Sequence, residues 1–263
     1  MKITALVENI SNGELKPKHG LSLYIETPNH KILFDLGPDD TLFENSKKVG
    51  IDLSQVDIVI ISHGHSDHGG ALKHFLQQNH KARVYVQKKA FERHYSKFLF
   101  VKVSVGLDAR LLNHPQMFLI DGDYKIDDEL CLLTTKKKSK CYSTVNDALY
   151  TVNGKDTFLH EQNLIISGDK KVLIMGCGHS GVVNILKAAE KYHPEVCIGG
   201  YHLFNPLTKK VVSDILLEEI AKEMDQYKME FYTCHCTGEH AYRYLAERVS
   251  GMHYLSCGSE IEI

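Results

Sequence analysis

The sequence predicts a mixed α/β fold in one globular unit spanning residues 1–263, and three observations carry that prediction. Strand-like apolar runs alternate with amphipathic segments along the chain. Four of those runs end in short loops bearing His63, His179, His202 and His235. A chain of 263 residues at 43% hydrophobic content can bury one large core, and no low-complexity linker or repeat period divides it.

The first third reads as strands. Residues 2–8 alternate in polarity, and the runs 21–26 and 31–35 flank the turn Thr27-Pro28-Asn29-His30, the pattern of an antiparallel meander. After Gly37-Pro38 a helix is expected over 42–49, then a buried-type strand at 57–61 and a helix over 70–78. A strand at 82–87 leads into a helix at 88–97, and residues 98–157 offer only short strand-like pieces. Within them, Thr134-Thr135-Lys136-Lys137-Lys138-Ser139-Lys140 reads as a solvated hairpin tip, with a basic lip for a substrate phosphate as the sharper alternative. From Asn163 the order returns: strands at 163–167 and 171–175 about a turn at Gly168-Asp169, a helix over 182–192 and a strand at 196–198. A helix over 211–226, a strand at 229–233, a helix near 239–249 and one C-terminal strand complete the chain.

Composition excludes several classes of function. Lys+Arg 31 against Asp+Glu 33 gives a net charge of −2, so no long-range field favours nucleic acid or an anionic membrane. The N-terminal MKITALVENISN lacks the apolar core of a signal peptide, and no run approaches the roughly 18 apolar residues of a membrane span. A cytoplasmic protein acting on a small molecule is expected. Seven cysteines, an odd number, in a chain too long to need disulfide staples are expected to be reduced thiols.

The chemistry concentrates in SHGHSDHGG, residues 62–70, directly behind the apolar run 57–61. In an extended loop His63 and His65 fall on the same side and can grip one ion; Asp67 and His68 face a second position. Imidazole and carboxylate suit zinc, iron or manganese. A complete site needs ligands from elsewhere, and His179 and His235 stand at the ends of two later apolar strands.

SHGHSDHGG after an apolar strand, with Phe34-Asp35-Leu36-Gly37 before it, resembles the metallo-β-lactamase superfamily over nearly the full chain. Glu8-Asn9, His19-Gly20-Leu21-Ser22, Gly176-Cys177-Gly178-His179-Ser180-Gly181, Gly199-Gly200-Tyr201-His202-Leu203 and Cys234-His235-Cys236-Thr237-Gly238 are similar to one branch of it. That branch holds 7,8-dihydropterin-6-methyl-4-(β-D-ribofuranosyl)aminobenzene-5′-phosphate synthases and many metal-dependent hydrolases. The resemblance implies an αββα sandwich of two mixed sheets flanked by helices, with one or two divalent ions, zinc foremost, at one edge. It implies that His63, His65 and His179 hold the first metal, that Asp67, His68 and His235 hold the second, and that Asp35 orients a ligand imidazole. Where many members carry a bridging aspartate this chain has Cys177, which either ligates or is a buried bystander.

Other residues have two readings each. His202 is a candidate general acid or a capping histidine, and His160 a substrate contact or a strand-edge residue. His19 closes the pocket rim or sits on the surface; Ser180 and the N–H groups after it open a helix where an anionic substrate group could rest. Cys234 and Cys236 are expected to turn away from an inward His235, since a compact C-H-C cannot enclose one tetrahedral ion.

The function expected is hydrolysis of an ester, phosphoester or related bond by a metal-bound hydroxide, with Asp67 handling the nucleophile's proton and His202 as acid. The resemblance also admits two alternatives: pterin-linked synthase chemistry, and a mononuclear iron dioxygenase on the same fold. A scaffold role would leave the convergent histidines unexplained.

Overall fold

A computed structural model of the chain describes every residue except 99, 137–139 and 207. Its architecture follows from apolar runs that are buried on both faces. In Lys31–Phe34 and Ile58–Ile60, Ile32, Phe34, Ile58 and Ile60 point into a central core, while Leu33 and Val59 join an outer cluster with Leu42, Leu72 and Phe75. The second half repeats the arrangement: Val172, Ile174, Val196 and Ile198 face the same central core, whereas Leu173 and Cys197 pack with Ile185, Leu217 and Leu245. A strand covered on both sides needs no polar alternation, which is why these segments read as continuous apolar runs.

Two seven-stranded mixed sheets enclose the central core. The first runs Glu260–Glu262, Lys2–Val7, Ser22–Glu26, Lys31–Phe34, Ile58–Ile60, Arg83–Gln87, Met117–Ile120. The second runs Met252–Tyr254, Glu230–Thr233, Val196–Gly199, Val172–Ile174, Asn163–Ile166, Leu130–Leu133, Tyr124–Lys125. Helices Thr41–Lys48 and Leu72–Gln78 cover the outside of the first sheet, and Val182–Ala189, Asp214–Met224 and Glu239–Ala246 that of the second. The layers are therefore α/β/β/α.

Several elements differ from the sequence expectation. The helix expected over 88–97 is a single 3-10 turn, Lys88–Phe91, followed by the strand His94–Phe98. That strand pairs with Leu149–Thr151 and Val101–Ser104 in a separate four-stranded sheet, so tertiary pairing overrides local helical preference. The helix expected from 211 starts at Asp214, where Ser213 accepts a hydrogen bond from the Leu216 N–H. Helical structure near the histidine motif begins within it, at Ser66–Gly69, before Leu72–Gln78. The C-terminal strand is two, Met252–Tyr254 and Glu260–Glu262, one at an edge of each large sheet. Of the lysine-rich run 134–140, residues 137–139 lie outside the described residues. Among the described residues no helix is long and apolar enough to cross a membrane.

Candidate metal centre

Parallel strands bring the functional loops to one edge. Val172–Ile174, Val196–Gly199 and Glu230–Thr233 are parallel neighbours in the second sheet, so the loops carrying His179, His202 and His235 leave from the same end. Ile58–Ile60 delivers residues 62–68 to the same place from the first sheet. The backbone is left-handed at Asp35, His202 and His235, with φ of 60°, 49° and 51°. Such conformations are uncommon outside glycine and cluster where function over-determines the chain.

The histidine nitrogens converge. His63 Nε2 lies 3.0 Å from His65 Nδ1 and 3.2 Å from His179 Nε2. His68 Nε2 lies 3.1 Å from Cys177 Sγ and 3.7 Å from Asp67 Oδ2, and His235 Nε2 lies 3.4 Å from the same Asp67 oxygen. Outer partners fix the tautomers. Ser62 Oγ donates to Asp35 Oδ2 and so accepts from His63 Nδ1; Asp35 Oδ2 also accepts from His68 Nδ1, at 2.6 Å. Asn146 and Asn9 work alike: each amide donates to the backbone carbonyl of its histidine and presents Oδ1 to the Nδ1 of that ring, His179 and His235 respectively, at 2.9 Å. His63, His68, His179 and His235 thus hold their Nδ1 protons outward and turn Nε2 inward.

Two lone pairs facing each other at 3.2 Å, as in His63 and His179, are repulsive unless a cation lies among them. Tetrahedral ligation at Zn–N of about 2.0–2.1 Å sets neighbouring nitrogens roughly 3.3–3.4 Å apart, close to what is seen. Among the described residues, His235 Nε2 and both His202 ring nitrogens are buried without a hydrogen-bond partner. The donor set therefore fits one or two divalent ions.

Buried carboxylates brace the loops of His63, His179 and His235 from behind. Asp35 Oδ1 accepts from the Ser62 N–H, Glu8 Oε1 from the His235 N–H, and Glu161 from both the His179 and Ser180 N–H groups, at 2.6 and 2.8 Å. Ser180, expected where an anionic substrate group could rest, is buried outside the cavity lining, and its N–H is held by Glu161 of the chain itself. His160, expected as a substrate contact or a strand-edge residue, is buried outside this cavity's lining; its Nδ1 accepts from the Gly64 N–H, and its Nε2 donates to Asp156, which also holds His94. His160 positions the His63-Gly64-His65 turn. The expectation that both cysteines turn away from His235 holds for Cys234, in the central core, but Cys236 lines the cavity.

Glu161→Gln keeps the shape and removes one acceptor, leaving one of two buried N–H groups unpaired. We expect a stability loss of about 1–3 kcal/mol and a roughly 10–100-fold weaker zinc affinity through His179, read by thermal unfolding and zinc titration; unchanged zinc affinity would contradict the brace.

The cavity beside these groups has a volume of 520 Å³; Val103, Val145, Leu149, Phe204 and Pro206 line it, together with His19 and His202. His19 is half-exposed, 3.5 Å from Asp67 Oδ2. Asp67 is the ligand-set carboxylate that reaches the cavity.

Protonation suits ligation at the first position, whereas His68 must give up a proton to bind an ion. Burial and the neighbouring imidazoles push His63 and His179 well below the ordinary imidazole range, and burial with His160 does the same to His65, so all three are neutral at neutral pH. Burial would raise Asp67, but His68, His235 and His19 hold it well below the usual carboxylate range. Burial opposes the charge on His68, yet Asp35 and Asp67 prevail and raise it to about 9. A folded value above the unfolded 6.5 means that this ion pair stabilises the metal-free protein fully below 6.5 and ceases to do so as pH rises through about 9. The His68 ring in metal-free protein is expected to titrate near 9 by NMR; titration near 6.5 would contradict the Asp35 pairing.

The family profile described as the metallo-beta-lactamase superfamily matches residues 15–186. The chain belongs to this superfamily, whose members bind divalent metal ions and are mostly hydrolases. It is 27% identical over 241 residues to an uncharacterized protein of Methanocaldococcus jannaschii, covering 90% of each chain. It is 26% identical over 267 residues to the 7,8-dihydropterin-6-methyl-4-(beta-D-ribofuranosyl)-aminobenzene-5′-phosphate synthase of the same organism, covering 90% of this chain and 88% of that one. Among solved structures, Tm1679, described as a metal-dependent hydrolase of the beta-lactamase superfamily, superposes with a TM-score of 0.83 at 29% identity over 100% of this chain and 99% of its own. These similarities agree with the α/β/β/α sandwich seen here.

Proposed function

We propose that the protein is a metal-dependent hydrolase cleaving an ester or related carbonyl bond of a small molecule with an apolar body. The observation that carries this reading is the set of inward Nε2 atoms, each fixed by an outer acceptor on the far side of its ring, with His179 and His235 of that set lining an apolar cavity. His63, His65 and His179 would hold the first ion and Asp67, His68 and His235 the second, with zinc the ion such donors suit and iron or manganese next. When bound, the metal supplies Lewis acidity toward the substrate oxygen and lowers the pKa of a water. Asp67, ionised and facing the cavity, accepts the proton of the attacking water. His202, with both ring nitrogens unpartnered and its ring 4.1 Å from that of His179, donates to the leaving group.

A phosphoester remains within the chemistry such a centre supports, but among the described residues the cavity lining holds no lysine or arginine to meet a phosphate. The same point weighs against the synthase reading. The test is a zinc-loaded assay across esters, thioesters and lactones of increasing acyl length, with phosphodiesters alongside. Each added methylene that enters the cavity is expected to raise kcat/KM about fourfold, the equivalent of about 0.8 kcal/mol. His202→Ala should lower kcat about 10²–10⁴-fold with metal content unchanged. Faster cleavage of phosphodiesters than of every carbonyl substrate would overturn the substrate assignment.

A further inference from the structure

Cys177 stands where a bridging carboxylate was expected, and it is not alone there. Its Sγ lies 3.1 Å from His68 Nε2, and the donors of Cys177, His235 and Cys236 all lie within 4.8 Å of one another. Cys177 also groups at that distance with His63 and His68, and with His179 and His202, so the one sulfur reaches both metal positions. Cys236 Sγ accepts the His202 N–H at 3.2 Å and approaches the Cys177 carbonyl at 3.5 Å. The fold leaves room for it: a Cβ on Gly200 would stand 2.5 Å from that sulfur. The unpartnered His235 Nε2 is a third donor of the same group. Tetrahedral ligation with Zn–N near 2.0–2.1 Å and Zn–S near 2.3 Å sets donor atoms about 3.3–3.8 Å apart, a spacing that falls within the 4.8 Å limit these donors share.

We propose that Cys177 and Cys236 are thiolate ligands of the second metal position, Cys177 lying between the two positions. This rests on the metal-dependent reading above. Each thiol gives its proton to solvent as the ion binds, and no oxidant or reductant takes part. Two sulfurs beside imidazole shift the position toward softer ions, zinc or ferrous iron over magnesium or calcium. Cys234, two residues from Cys236, faces the central core and takes no part.

The test is cobalt(II) titration of reduced, metal-free protein followed by absorption spectroscopy. The wild type is expected to show an intense near-ultraviolet thiolate-to-cobalt charge-transfer band; Cys177→Ser and Cys236→Ser each lower it, the double variant loses it, and Cys234→Ala retains it. Circular dichroism confirms that each variant is folded, and Cys177→Ala and Cys236→Ala replace any serine variant that is not. Cobalt bound by the wild type with no such band, or a band that survives in the double variant, overturns thiolate ligation and leaves the metal-dependent reading standing. No cobalt bound at all overturns both.

Discussion

Asp35→Ala is expected to lower the stability of the metal-free protein by about 3–5 kcal/mol, because it leaves a buried His68 charge and a buried backbone donor without their partner. One carboxylate accepts from Ser62 N–H, from Ser62 Oγ and from His68 Nδ1, at 2.7, 2.7 and 2.6 Å, with both side chains of the Asp35–His68 pair fully buried. Alanine at φ 60° adds backbone strain of about 1–3 kcal/mol. The damage extends to both metal positions, since Ser62 orients His63 and Asp35 orients His68. Zinc affinity should fall at least about 10–100-fold, the usual cost of losing an outer partner. Asp35→Asn, which tolerates the left-handed backbone, separates the effects: milder destabilisation, with His68 no longer titrating near 9. Chemical denaturation and zinc titration read both; an Asp35→Ala protein with wild-type stability would contradict the network.

His65→Ala and Asp67→Ala are expected to abolish turnover by different routes. His65 is the inward ligand that turns Nδ1 rather than Nε2 to the first position, 3.0 Å from His63 Nε2, so its loss removes one of three first-position donors. Bound metal at that position should fall by more than the roughly 10–100-fold cost of an outer partner. Asp67 faces His68, His235 and His19 at 3.7, 3.4 and 3.5 Å and reaches the cavity. Removing it costs second-position metal together with the proton acceptor, and kcat should fall at least about 10²–10⁴-fold. Asp67→Asn retains a ligand oxygen but cannot take a proton, so it should recover metal content more than kcat. Full activity in His65→Ala or Asp67→Ala would contradict the proposed centre.

Much of this was legible in the sequence because the fold writes buried parallel strands as continuous apolar runs, and the chemistry sits at their ends. Residues 57–61 and 171–175 announce both a strand and the loop behind it, so His63, His65, Asp67, His68 and His179 could be read from local pattern, and the structure brings them together with His235. What was illegible depends on distant pairing. His94 lies in a segment that reads as helix and becomes a strand by pairing with Leu149–Thr151; no local pattern ties it to Asp156 or His160. Glu161 and Asn146 sit in ordinary polar stretches, and only the folded backbone shows them bracing His179. Glu8-Asn9 was visible as a branch motif without a role; its position behind His235 supplies one. Cys236 turns toward the cavity rather than away from it, because spacing alone does not set which way a side chain turns in a tight loop, whereas the space beside Gly200 does.

In the proposed centre His63, His65 and His179 would together hold a divalent ion. The most direct measurement is isothermal titration of zinc into chelator-treated, reduced wild-type protein and into His63→Ala and His179→Ala variants. The wild type is expected to bind one to two equivalents, and each folded variant to lose the first-position equivalent. No stoichiometric binding by the wild type, or the same binding in both variants, would contradict it.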